Sequence, residues 1–137
     1  MKRLLQSYIL RYVWEERMEE KKLFDSELKV MDVIWREGDI PARKIAGILG
    51  EAYGWNKNTT YTLIKRCMAK GAIERVEPGF VCHALVSKES VQMAETDELI
   101  EKMYDGAADS LFAALLHRER MSAEQIARLK KMIEELE

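Results

Sequence analysis

Residues 55–71 read WNKNTTYTLIKRCMAKG, and this stretch decides which fold the chain adopts. Asn56 is a favoured N-cap residue and Gly71 is a favoured residue just past a helix end, so the stretch predicts a helix running to about Lys70. At 100° per residue, one side of this helix suits a protein core. That side carries Thr60, Leu63, Ile64 and Cys67.

The opposite side of the same helix is polar and cationic. Asparagine, threonine and tyrosine side chains can hydrogen-bond base edges or phosphate oxygens, whereas lysine and arginine neutralise phosphates. On an isolated helix such a face is more often simply solvated. Here two predicted helices precede this helix and a predicted β-hairpin follows it, and this order favours a nucleic-acid-binding face over a merely solvated one. The face holds Asn58, Thr62, Lys65 and Ala69, flanked by Thr59, Tyr61 and Arg66.

Two other helices are predicted before this one. Asp25 or Ser26 can cap the first, and Gly38 ends it. Pro41 suits the first turn of the second helix, which ends around residues 50–54. The apolar residues that recur at helical spacing in the two helices are Leu28, Met31, Ile34, Trp35, Ile45, Ile48 and Leu49.

The hydrophobic period changes after Gly71. Residues 72–77 alternate, Pro78-Gly79 is a turn signal and residues 80–86 are typical of a strand, which together predict a β-hairpin. Three short helices followed by a hairpin are the element order of a winged helix-turn-helix unit. We therefore expect a mostly α fold with a small β-hairpin, and a winged-helix DNA-binding domain over residues 23–86.

Residues 87–137 predict three further helices. The first runs to about Tyr104, residues 105–106 interrupt the chain, and the last opens on a capping box at residues 122–125. Three helices in about 50 residues do not bury a core of their own comfortably. Their apolar faces need a partner, and a second copy of the chain is the nearest identical one. We expect a helical dimerisation domain and a homodimer.

Composition agrees with a helical protein that has two functional parts. The 137 residues are 47% hydrophobic and 34% charged, with only seven glycines and two prolines. The net charge of −2 hides an asymmetry, because residues 41–75 carry seven basic and two acidic residues whereas residues 87–137 carry seven basic and twelve acidic ones. A basic segment joined to an acidic one indicates an anion-binding unit with a second part of different role.

Three stretches resemble the penicillinase-repressor family of winged-helix regulators. They are LFDSELKVMDVIW at residues 23–35, WNKNTTYTLIKR at residues 55–66 and KGAI at residues 70–73. The similarity extends from residue 23 to residue 137. It implies a dimeric transcriptional repressor that binds an inverted-repeat operator in double-stranded DNA. One recognition helix, Asn56–Lys70 here, would enter each major groove.

The resemblance also implies roles for individual side chains. Four residues would lie nearest the bases: Asn58, Thr59, Tyr61 and Thr62. Three on the same helix would lie beside phosphates: Lys57, Lys65 and Arg66. Arg43 on the second helix would assist them, and Asn56 completes the predicted DNA-binding set.

The chain departs from the pattern of this family at three places. Members commonly carry arginine or glutamine where Tyr61 stands, so we expect a different preferred operator. The negative charges of Glu74 and Glu77 offset the positive charge of Arg75 on the predicted hairpin, or wing, which argues against a strong contact between the wing and phosphate. Members that respond to antibiotics are cleaved at an Asn-Phe bond, whereas Ala114-Leu115 stands at the matching position. Whether an upstream sensor or protease acts on this chain is left open by the sequence.

Other classes of function have less support. The chain has no glycine-rich phosphate loop and no nucleophile elbow, so we expect no enzyme and no cofactor. A metal-responsive repressor needs three or four converging nitrogen or sulfur ligands, and the cysteines are only Cys67 and Cys82. A winged-helix protein-interaction module remains as an alternative, but it would usually show apolar residues where Asn58, Thr62 and Lys65 lie.

The first 22 residues are predicted to be an extension outside both domains. Residues 14–17 can be encoded by a purine-rich sequence that resembles a ribosome-binding site, and Met18 follows directly. We therefore hypothesise that Met18 is the natural start. No apolar run approaches the roughly 18 residues of a membrane span, and nothing is typical of an export signal, so we expect a cytoplasmic protein.

Overall fold

The structure is a computed structural model that describes Gln6, Ile9 and residues 21–136. Met18, the hypothetical start, and most of the predicted extension lie outside the described residues. Between residues 25 and 134 the chain forms six helices and one small antiparallel sheet, so the expected fold class is confirmed. The helices are α1 (Asp25–Glu37), α2 (Ala42–Tyr53), α3 (Lys57–Ala69), α4 (Lys88–Met103), α5 (Ala108–His117) and α6 (Ala123–Glu134). The strands are β1 (Ile40–Pro41), β2 (Ile73–Val76) and β3 (Val81–Ala84).

The start of α1 differs from the prediction. Phe24 is the N-cap, and Asp25 and Ser26 are the first two residues of the helix. The carboxylate of Glu27 holds the N-cap residue in place, because its Oε1 accepts the Phe24 backbone N–H at 2.8 Å. This is the half of a capping box that needs no polar side chain at the N-cap. The end of α1 is as predicted, at Gly38 with φ of 81°.

The sheet contains a strand that the sequence did not reveal. Ile40 and Pro41 form β1, which pairs with β3, so the strand order is β1-β3-β2. Pro41 is consequently the N-cap of α2 and not its first helical residue. Two residues are too few to show an alternating pattern, which is why only the β2–β3 hairpin was predictable. That hairpin is confirmed, with Val76 opposite Val81 at its turn end.

One core lies between the first three helices and the sheet. Its largest fully buried apolar side chains are Met31, Ile45, Leu49 and Ile64, with Val30 beside them. Trp35 is only half-buried, and its indole N–H donates to the carbonyl of Val86 at 3.0 Å. This bond joins α1 to the chain just past β3. The core therefore fixes α3 against α1, α2 and the hairpin.

The described residues form two compact units, one ending at Ser90 and one beginning at Val91. The second unit contains α5 and α6, and α6 opens on the predicted capping box between Ser122 and Gln125. None of the described residues of α4, α5 or α6 is buried. Large apolar side chains exposed on these helices include Met93, Leu99, Met103, Phe112, Leu116, Ile126, Met132 and Ile133.

Candidate nucleic-acid interface

The candidate site is built on α3, whose N-terminus is fixed by one side chain. The Oδ1 atom of Asn56 accepts the backbone N–H of Thr59 at 2.8 Å and its hydroxyl at 3.0 Å. Asparagine is among the best N-cap residues because its short side chain reaches an otherwise unpaired N–H. Asn56 thus has its predicted capping role, and its carboxamide oxygen is occupied by the two hydrogen bonds from Thr59.

The helix is anchored on the side that the sequence assigned to the core. Thr60, Leu63, Ile64 and Cys67 are all buried, none of them more than 5% exposed. Because buried residues recur every three or four positions, the helix cannot rotate about its axis without exposing apolar surface. The opposite face is therefore held in a fixed orientation toward solvent.

Most predicted DNA-binding residues lie exposed on that opposite face. The exposed residues of α3 that belong to the set are Lys57, Asn58, Thr59, Thr62, Lys65 and Arg66. Ala69 is exposed as well, and Arg43 is exposed near the start of α2. The predicted face is therefore present: amide and hydroxyl groups lie toward the N-terminal half of α3, and the cations Lys65 and Arg66 follow them.

Tyr61 differs from the other members of the set because it is half-buried and packs within the protein. Its ring meets the ring of Phe80 edge to face, with centroids 5.8 Å apart and planes at 86°. The ammonium of Lys57 lies 5.6 Å from the centroid of the same tyrosine ring. Tyr61 therefore joins α3 to the hairpin, a contact that could not be derived from residues 55–71 alone.

The hairpin, or wing, carries one arginine, and that arginine is engaged. Arg75 forms an ion pair with Glu77, and its guanidinium carbon lies 3.8 Å from the Phe80 ring centroid. The other carboxylate oxygen of Glu77 accepts the Phe80 backbone N–H at 3.2 Å. The hydrogen bond from Arg75, followed by the one from Phe80, holds the pKa of Glu77 below its usual range.

The C-terminal end of α3 is tied to α1 by a contact that sequence reasoning missed. Lys70 Nζ lies 2.6 Å from Glu27 Oε1 and 2.6 Å from the carbonyl oxygen of Lys22. The same ammonium sits 4.1 Å from the ring centroid of Phe24. The side chains of Glu27 and Lys70 are 1% and 15% exposed, so most of the pair is removed from water. A glutamate at a helical core position was the sequence signal that could have indicated it.

A second cluster lies just before α3. Tyr53 and Trp55 pack with ring centroids 5.4 Å apart, and Lys29 lies 4.6 Å from the first ring and 5.9 Å from the second. Trp55 is half-buried in this cluster. The cluster supports the turn between α2 and α3, where Gly54 adopts a left-handed conformation with φ of 70°.

Neither cysteine belongs to a cluster of metal-ligating side chains among the described residues. Burial raises the pKa of Cys67 to about 12 and that of Cys82 to about 11, so both remain protonated at neutral pH. His83 on β3 is paired with Asp39, with Nδ1 and Oδ1 2.7 Å apart. Over residues 21–136, no three histidine, cysteine, aspartate or glutamate side chains converge as metal ligands would.

Comparison with known proteins decides the family. A sequence profile described as penicillinase repressor matches residues 23–135, which is most of the chain. The chain belongs to the penicillinase-repressor family. The family is one of DNA-binding repressors and not of enzymes. Within the described residues, no helix is long and apolar enough to cross a membrane.

Three relatives resemble the chain over three quarters or more of their own length. The penicillinase repressor of Bacillus licheniformis is 26% identical over 116 residues, which cover 83% of this chain and 91% of the relative. The methicillin resistance regulatory protein MecI of Mammaliicoccus sciuri is 26% identical over 114 residues, covering 82% and 93%. An uncharacterised 16.5 kDa protein of Latilactobacillus sakei is 26% identical over 110 residues, covering 79% and 75%.

Proposed function

We propose that the chain is a cytoplasmic, dimeric transcriptional repressor that binds an inverted-repeat operator. The α3 helix of each protomer would enter a major groove, with the two half-sites about 34–36 Å apart along the duplex. The observation that carries this proposal is the exposed face of α3, because it combines hydrogen-bonding groups with cations on a helix whose other side is buried.

The roles within the face follow from side-chain chemistry. Asn58, Thr59 and Thr62 have short polar groups that can read base edges, and Tyr61 borders them. Lys57, Lys65 and Arg66 would neutralise phosphates, with Arg43 contributing from α2 and Asn56 contributing by fixing the helix start. A protein-interaction module would instead present apolar groups here, and the face of α3 is polar.

Dimerisation is supported by the second compact unit. Helices α4–α6 expose many large apolar side chains, and none of their described residues is buried. A second copy of the same helices would cover such surface symmetrically, as most soluble homo-oligomers do. Two DNA-binding units joined in this way match the two-fold symmetry of an inverted repeat.

The Ala114-Leu115 bond is protected by its position in a helix. Both residues lie inside α5 and are half-buried. A protease binds an extended segment, so this bond would become accessible only after local unfolding of the helix.

Selection from a library of random duplexes tests the proposed function. The full chain is expected to enrich an inverted repeat with half-sites about one helical turn apart. Fluorescence anisotropy should then show tighter binding to the selected duplex than to a scrambled one, with affinity falling as salt rises. Enrichment of no sequence, or equal binding to both duplexes, would contradict sequence-specific repression.

A further inference from the structure

The wing contains one basic side chain, and this side chain is already paired within the protein. Arg75 is the only lysine or arginine between residues 72 and 86. Its Nε–H donates to Glu77 Oε1, and its guanidinium lies on the ring of Phe80. The side chains of Arg75 and Glu77 are 46% and 56% exposed, so both still have access to a ligand in solution.

The carboxylate of Glu77 is positioned by two contacts. One oxygen accepts from Arg75, and the other accepts the backbone N–H of Phe80. Because Glu77 is tethered two residues away from Arg75, its carboxylate is present at a high effective concentration. Carboxylate and phosphate offer a guanidinium the same kind of charged acceptor oxygens, so each can replace the other.

The held arginine lies beside the proposed DNA-binding face. The Phe80 ring contacts Arg75 through its face and also meets the ring of Tyr61 on α3. Tyr61 in turn lies under the ammonium of Lys57, a proposed phosphate ligand. Two ring contacts therefore connect the guanidinium of the wing to the N-terminal part of α3, where a bound duplex would present its backbone.

We propose that Glu77 competes with DNA phosphate for Arg75 and so keeps the wing from adding a phosphate contact. The inference rests on the proposed function, and it assigns Glu77 the role of setting overall affinity. Phosphate contacts carry no sequence information, so Glu77 weakens binding to operator and to random DNA alike. Removal of its charge frees Arg75 for the duplex.

The test compares E77Q with the wild-type chain on the selected operator and on random duplex. Glutamine keeps an oxygen that can accept the Phe80 N–H but loses the charge that holds Arg75. We expect E77Q to bind both duplexes about fivefold more tightly, since an exposed ion pair is exchanged for a phosphate contact. The slope of log affinity against log salt should steepen by about 0.9, the value for one additional phosphate.

Three variants separate this mechanism from a general change of charge. E74Q removes the same charge from the neighbouring strand position, whose side chain points to the other face of the hairpin, and is expected to change affinity less than twofold. R75Q leaves the Glu77 carboxylate unpaired, so it should bind both duplexes slightly less tightly than the wild-type chain. R75Q/E77Q should lose the whole gain seen in E77Q.

Several outcomes would overturn the inference. They are equal gains for E77Q and E74Q, no gain for E77Q, or a gain that survives in the double variant. A loss of affinity in R75Q/E77Q relative to the wild-type chain would show that Arg75 already binds DNA, because this variant removes both charges of the pair. These outcomes differ from a failure of the proposed function itself. In that case the wild-type chain would show no preference for any selected duplex.

Discussion

Lys70 and Glu27 form the ion pair that fixes the end of α3 to the start of α1. Glu27 Oε1 accepts from both Lys70 and the Phe24 backbone, whereas Oε2 is buried with no hydrogen-bond partner among the described residues. A buried carboxylate is tolerated only while its charge is compensated. The orientation of α3 thus depends on an ion pair that lies outside its proposed DNA-binding face.

Lys70→Met should destabilise the protein severely. The substitution keeps the aliphatic stem but leaves the Glu27 carboxylate buried and unpaired, which costs about 3 kcal/mol of unfolding free energy. Urea denaturation at pH 7 and fixed protein concentration measures it. R36M is the control, because the Arg36–Glu37 pair has side chains 63% and 47% exposed and should contribute less than about 1 kcal/mol. Equal effects of the two substitutions would contradict the assignment.

His83 should titrate above its ordinary pKa of 6.5. The hydrogen bond with Asp39 raises the pKa of His83, and the charges of Asp39 and Glu74 add to it. A group whose pKa is raised by folding stabilises the folded state below its unfolded pKa. That contribution is therefore present below about pH 6.5 and is lost as pH rises through the raised value.

NMR titration of the His83 ring measures this pKa directly. D39N should lower the pKa of His83 toward 6.5, because it removes both the charged acceptor and its field. D25N, which removes a carboxylate from the start of α1, is the control and should leave the pKa of His83 unchanged. An identical titration curve in wild type and D39N would refute the pairing.

At the scale of the elements, two neighbouring asparagines at the N-terminus of α3 are expected to have different roles, one in stability and one in DNA recognition. Asn56 caps the helix through two hydrogen bonds to Thr59, and Asn58 lies exposed on the side of the helix opposite the core. N56A should cost about 1 kcal/mol of unfolding free energy. N58A should leave stability within about 0.5 kcal/mol and weaken operator binding instead. Thermal or urea unfolding of both variants checks this, and a reversed order would contradict the two roles.

The elements that the sequence predicted well are those with local signals. The capping by Asn56, the helix end at Gly38, the turn at Pro78-Gly79 and the capping box at residue 122 each depend on residues within four positions. The inward and outward faces of α3 followed from helical period alone. Local patterns of this kind determine element type and face.

The features that escaped prediction are contacts between distant residues. Strand β1 exists only because Ile40 and Pro41 pair with β3, about forty residues later. The Lys70–Glu27 pair and the Tyr61–Phe80 contact likewise join separate elements. Phe24 displaced the expected caps because Glu27 reaches back to its N–H. Such contacts depend on tertiary packing, which composition and periodicity do not encode directly.

At the scale of the whole molecule, the apolar faces of the second unit should hold two chains together. Light scattering is expected to give twice the chain mass of 15.9 kDa. Leu116→Asp places a charge at an exposed apolar position of α5 and should shift the protein toward the monomer. S110D adds the same charge to the polar side of α5 and should leave the dimer intact. A wild-type monomer, or equal behaviour of both variants, would contradict the dimer.

The central claim is that the exposed face of α3 binds and reads DNA. Fluorescence anisotropy of wild type, K65A and T62A on the selected operator and on random duplex, at two salt concentrations, tests it most directly. K65A should weaken both duplexes alike and reduce the salt slope by about 0.9, whereas T62A should lose about 1–3 kcal/mol on the operator alone. If both variants bind both duplexes like the wild type, α3 is not the DNA-binding element.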